Sequence, residues 1–295
     1  MDKSNMIKAS DFKLEECKSW EKTKSHLLAL SRKKRIVFRG EPEDHKTALT
    51  TTLDRFLKYI PVNKFVIEPY LLEEFQRRYG NYSQIKPEQY NRVEWWSFMQ
   101  HYGGPTRLLD WTYSFYVAVF FALENLDKIN NKAVVWALDA DWLEDVLDYG
   151  EHGNLKAALA KDPHMSKIKT FCEFDGKQMI LRMTPSVLHE RLSVQQGCFL
   201  MSGSPKVTFM QNLRKCSKKK DLKKYLFKFT FPKGPKERKE ILRDLFRMNI
   251  SRASLFPGLD GYAASFKTST FSEPKLLEKR AFKERIVSDY WAWCS

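Results

Sequence analysis

The 295-residue chain lacks most of the patterns that announce a chemistry. It has no Gly-x-x-x-x-Gly-Lys loop, no Gly-x-Gly-x-x-Gly turn, no His-Glu-x-x-His pair and no Gly-x-Ser-x-Gly elbow. The common phosphate-loop, dinucleotide-fold, zinc-protease and hydrolase readings therefore have no footing. Its five cysteines (Cys17, Cys172, Cys198, Cys216, Cys294) are odd in number and widely spaced, with no C-x-x-C. That argues against a zinc clasp or a disulfide framework and fits a reducing cytoplasm. The six histidines show no metal-ligand spacing, so no metal is expected. Long apolar runs are missing too. The longest, around Val117–Leu123, suits a buried helix rather than a bilayer span, and residues 1–14 lack the apolar core of a signal peptide. The expectation is a cytoplasmic chain with no membrane partner. Acidic residues are scarce: 36 Asp+Glu stand against 51 Lys+Arg, a net +15 that favours an anionic partner.

What is present is concentrated in one stretch, Gln100–His101–Tyr102–Gly103–Gly104–Pro105–Thr106–Arg107–Leu108–Leu109–Asp110–Trp111–Thr112. Gly-Gly-Pro cannot continue a helix, so the chain turns there and re-emerges extended. A turn that carries His, Tyr, Arg, Asp and two Thr between rigid elements is either a site or a buried Arg–Asp corner.

Around it the pattern alternates helix and strand. Residues 11–31 read as an amphipathic helix. Ile36–Phe38 read as a strand that places Arg39 at its end, with Gly40 and Pro42 terminating it. Helices are expected over 47–59, 68–79, 87–100 and 114–126, with Ser114 as a cap, and 132–139 reads as a core strand. Residues 141–176 read as a partly helical insertion, 179–183 as a strand and 191–203 as a strand pair with a Gly bend. A strand over 225–231, a helix over 236–248 and a turn over 255–261 follow. The fold class is α+β: one mixed domain with a central sheet over 34–268, a helical N-terminal segment (1–33) and a C-terminal tail (269–295).

Between Lys206 and Arg247 the chain holds 15 Lys/Arg and 4 Asp/Glu, an excess of +11. Such a run is either a solvated surface or a track for nucleic-acid phosphates.

Val37–Phe38–Arg39–Gly40, the Gln100–Thr112 stretch with Ser114, Ala118 and Phe121–Ala122 after it, Gln196–Gly197–Cys198–Phe199 and Ser254–Gly261 together resemble the FRG domain family, over roughly 34–265. The family's function is unassigned, and it occurs in bacterial and phage settings that suggest defence or toxin systems, where a partner or antitoxin protein is implied. An Arg-Gly at a strand end, followed by Trp-Thr-x-Ser running into a helix, is in turn similar to the ADP-ribosyltransferase arrangement. That similarity implies an NAD-consuming reaction on a nucleic-acid or protein target. Arg39 and Gly40 would hold the diphosphate with Arg107, while Thr112 and Ser114 order the pocket. His101 and Tyr102 would meet ribose or nicotinamide, and Gln196 would stand where that family supplies a Glu. The carboxylate that this chemistry needs is open between Asp110, Glu190 and none. The alternative is a non-catalytic module that binds nucleic acid or a nucleotide through the same cleft.

Overall fold

A computed structural model of the chain describes residues 7–42, 49–58, 64–84, 91–125, 132–146, 153–186, 190–217, 221–232 and 234–272. Seven strands form one mixed sheet: β1 (Lys13–Glu16), β2 (Ile36–Glu41), β3 (Leu108–Thr112), β4 (Lys132–Asp139), β5 (Ile180–Met183), β6 (Gly197–Ser202) and β7 (Leu226–Pro232). Their order is β1-β7-β4-β2-β3-β6-β5, with β1 parallel to β7 and every other pair antiparallel.

β4 shows why the sheet is filled on both sides. Side chains alternate across a strand, so Val134, Trp136 and Leu138 enter one core, and Ala133, Val135 and Ala137 enter the other. The first core is wide and aromatic, with Trp95, Trp96, Trp111 and Phe174 among its members. The second gathers Phe38, the helix Phe115–Leu123 and the inner face of the helix Pro235–Arg247.

Several expectations are corrected. The N-terminal segment is not purely helical: Lys13–Glu16 adds a strand to the sheet edge before the helix Trp20–Lys33 begins at its Ser19 cap. Residues 141–176 hold helices, as expected, and Leu155, Met165, Phe171 and Phe174 from this segment lie in the first core. Residues 191–203 are not a strand pair; the helix Glu190–Val194 leads into β6. The turn at 255–261 opens a long helix, Leu259–Ser272, and the expected tail beyond residue 272 lies outside the described residues. No helix among the described residues is long and apolar enough to cross a membrane.

Candidate functional site

β2 and β3 are neighbours joined at a single register position, Phe38 opposite Thr112. Beyond it β2 continues on β4 as far as Glu41, while β3 runs along β6 from Leu108 to Thr112. The sheet therefore opens between Arg39–Glu41 and Leu108–Trp111. A cleft of about 800 Å³ occupies this opening. It is lined from both layers, with Phe98, His101 and Tyr102 contributed by one and Phe121 and Glu124 by the other.

Arg39 spans the opening. Its Nη1 donates to the Asp110 carbonyl at 2.7 Å, and its Nε reaches Glu41 Oε1 at 3.4 Å. Glu41 is buried and holds the strand end in place, because it also accepts from the Leu49 amide (3.1 Å) and the Trp136 indole (3.1 Å). The next residue has to be glycine: a Cβ on Gly40 would sit 1.8 Å from the Ala118 carbonyl oxygen in the helix Phe115–Leu123. Arg55 lies close enough that burial first and Arg39 next depress its guanidinium below the ordinary value.

The turn after the helix Arg92–His101 is built by its glycines. Gly103 has φ +84°, and the Gly103 and Gly104 amides cap the helix carbonyls of Gln100 and Met99, each at 2.9 Å. Thr106 is pinned by Thr52, whose hydroxyl accepts from the Thr106 amide at 2.9 Å. Gln100 donates to Asp110 Oδ1 at 2.8 Å and accepts from Thr106 Oγ1, so it aims Asp110 along the cleft wall. Burial, then Arg191, pull the half-buried His101 imidazole below its usual range. Tyr102 stays 63% exposed at the rim.

Thr112 lines the cleft, and its hydroxyl donates to the Gln195 carbonyl at 2.7 Å while accepting from the Ser114 amide at 3.0 Å. It fastens the start of β6 to the end of β3. Ser114 caps the following helix through the Val117 amide and is not among the cleft-lining residues. Gln196 (φ +47°) is also absent from the lining. Its neighbour Gln195 faces the cleft and donates to the Leu255 carbonyl at 2.9 Å.

Arg107 lies elsewhere. Only 4% exposed, its guanidinium stacks 4.7 Å from the Trp96 ring centre, donates to both Glu68 oxygens, and reaches Asp175 Oδ1 (2.7 Å) and the Gly203 carbonyl (2.9 Å). These partners engage all three of its nitrogens inside the protein, and it is not among the cleft-lining residues.

The basic stretch 206–247 is divided rather than continuous. The helix Phe209–Cys216 packs in the first core and the helix Pro235–Arg247 in the second, on opposite faces of the sheet. Several of its charges are engaged, Arg247 with Asp244 among them. Arg214 pairs with Asp11, Lys228 is buried over Phe12 and Trp136, and Arg238 is buried with Asn125. Lys218–Lys220 and Lys233 lie outside the described residues.

Two cleft residues escaped sequence reasoning. Arg191 and Arg252 both pack on the Phe256 ring, at 4.3 and 3.6 Å from its centre, and Arg252 pairs with Glu124 at 2.6 Å. Asp110, Glu190 and Asp260 are further carboxylates on the wall. No group of three or more His, Cys, Asp or Glu among the described residues could hold a metal ion.

Residues 34–131 match the family model described as the FRG domain. The matched stretch holds β2, the central turn, β3 and the helix that packs on Gly40, and it supplies most of the cleft lining. The Gln196–Phe199 and Ser254–Gly261 pieces lie beyond the match. No curated protein and no solved structure matches the chain.

Proposed function

We propose that the cleft binds NAD as a substrate and transfers its ADP-ribose to a nucleophile on a nucleic-acid or protein target, in a defence or toxin setting where a partner protein restrains it. The observation that carries this reading is Arg39. Its guanidinium sits in the opening between β2 and β3, fixed by Glu41 and the Asp110 carbonyl, with aromatic Phe98, Tyr102 and Phe256 around the same space. A preorganised fork suits a diphosphate, and flat apolar walls suit an adenine or nicotinamide ring.

In the reaction, the bond between the ribose anomeric carbon and the nicotinamide nitrogen breaks. Nicotinamide leaves with the electron pair as a neutral base, and the cationic ribose accepts a lone pair from the acceptor, whose proton passes to a carboxylate. Glu190 serves best: it is exposed on the cleft wall, whereas Glu124 is tied to Arg252 and Asp110 to Gln100. Asp110 then keeps Gln100 and the turn in register. Thr112 holds Gln195 at the pocket edge.

A second reading, a nucleotide- or nucleic-acid-binding module without turnover, is favoured by one feature. Amides, Gln195 and Gln196, precede β6 where the transferase arrangement carries a carboxylate.

Turnover of labelled NAD by the full chain, alone and with lysate, DNA or RNA, separates the two. We expect nicotinamide release by the wild type, a roughly 100-fold loss in Arg39→Ala, and a fall in kcat of about 100-fold or more in Glu190→Gln with KM kept. Absence of turnover under all these conditions, with nucleotide binding intact, selects the binding module.

A further inference from the structure

This inference rests on the cleft being a site for a phosphate-bearing ligand, and concerns the wall away from Arg39. Arg191 is the second residue of the helix Glu190–Val194 and lies over Phe256, which also carries Arg252. The two cations are not equivalent. Arg252 is neutralised by Glu124 at 2.6 Å. Among the described residues, the Arg191 guanidinium donates to no acceptor, and the carboxylate that influences it most, Asp110, is already engaged by Gln100. It is half-buried, and burial pulls it below the ordinary guanidinium value, with Asp110 offsetting part of that fall. A second arginine on the same ring adds repulsion.

A partly desolvated charge without an acceptor is unfavourable by itself, and a stacked guanidinium keeps its planar donor fork aimed outward. The environment is therefore arranged for an incoming anion rather than for a structural ion pair. The ring fixes the plane, and Glu124 is taken up by Arg252 and does not reach Arg191 by hydrogen bond. Arg39 offers the corresponding donor from β2, with β3 lying between β2 and the β6 side that carries Arg191. We propose that Arg191, backed by Phe256 and Arg252, is a second anion site of the cleft that takes a phosphate group of the substrate. The phosphate belongs either to the dinucleotide, whose diphosphate would then be held from two sides, or to a nucleic-acid acceptor.

Calorimetric titration of the full chain with inorganic pyrophosphate tests this, using wild type, Arg191→Gln, Arg191→Lys and Arg39→Ala, with thermal unfolding to confirm that each is folded. Arg191→Gln is expected to weaken pyrophosphate about tenfold or more at unchanged Tm. Arg191→Lys, which keeps the charge and loses the fork and the stacking plane, recovers part of it. Should Arg191→Gln fail to fold, Arg191→Lys supplies the same comparison. Pyrophosphate affinity in the folded variants equal to wild type overturns the assignment. Parallel titrations with NAD and with a short single-stranded DNA distinguish the sources. Loss of NAD affinity in Arg191→Gln assigns the dinucleotide phosphate, and loss confined to DNA assigns the acceptor phosphate. If pyrophosphate binding depends on Arg191 while wild type never consumes NAD, the transferase reading falls and the anion site stands.

Discussion

His101 shows how one cleft position depends on another. Burial is the larger cause of its depressed pKa and Arg191 the smaller, so at neutral pH the ring is uncharged. The folded value lies below the unfolded one of about 6.5. As the solution is acidified through this range the native state therefore binds fewer protons than the unfolded state, and stability falls. The resulting penalty is absent above the unfolded pKa and reaches its full size below the folded one. Removing the Arg191 charge in Arg191→Gln should raise the His101 pKa toward, but not to, the ordinary value, because burial persists. An NMR titration of the imidazole resonances reads this directly, and an unmoved pKa would show that Arg191 does not act on the ring. Residue by residue, the sequence was informative wherever the chemistry is local: Arg39, His101, Tyr102 and Thr112 all line the cleft. Arg191 was invisible because what sets it apart, Phe256, lies far along the chain, and an arginine stacked on a ring reads as any other charge in sequence.

Among the elements, the contact between β2 and the helix Phe115–Leu123 decides whether a cleft exists. The Ala118 carbonyl sits where a Cβ on Gly40 would be, at 1.8 Å, and that Cβ would also lie 2.8 Å from the Ala122 amide nitrogen. Both are backbone atoms, so no side-chain adjustment relieves the clash. Gly40→Ala should cost about 3 kcal/mol or more, beyond the usual overpacking penalty, and adding Ala118→Gly should rescue none of it. Urea denaturation of the two variants measures this; full rescue by Ala118→Gly would mean that the helix, not β2, yields. The apolar run of β4, the alternating pattern of β7 and the capped helix after Ser114 made these elements readable. β1 (KLEE) was not, since nothing in its composition favours a strand and only pairing with β7 makes it one. The helix Glu190–Val194 is too short for a 3.6-residue period to show.

For the molecule as a whole, Arg107 is the residue that ties distant chain segments together. It joins β3 to Glu68 in the helix Lys64–Tyr79, to Asp175 after the helix Ile168–Phe174, and to the backbone following β6. Burial alone would lower its guanidinium, but Glu68 and Asp175 carry it above the ordinary value, so the members of the cluster depend on one another. The resemblance placed Arg107 beside Arg39 as a ligand for NAD. A strand sends neighbouring side chains to opposite faces, however, and Asp110 is exposed to the cleft while Arg107 is sealed behind it. Removing one partner of a buried pair leaves the other uncompensated. Glu68→Gln should therefore destabilise the fold by roughly 3 kcal/mol, measured as a shift in denaturation midpoint, while the affinity of the remaining folded protein for pyrophosphate stays at the wild-type level. A large loss of affinity at unchanged stability would instead return Arg107 to the binding site. Stability lost with affinity kept separates the charge that assembles the sheet from the charges that face its opening.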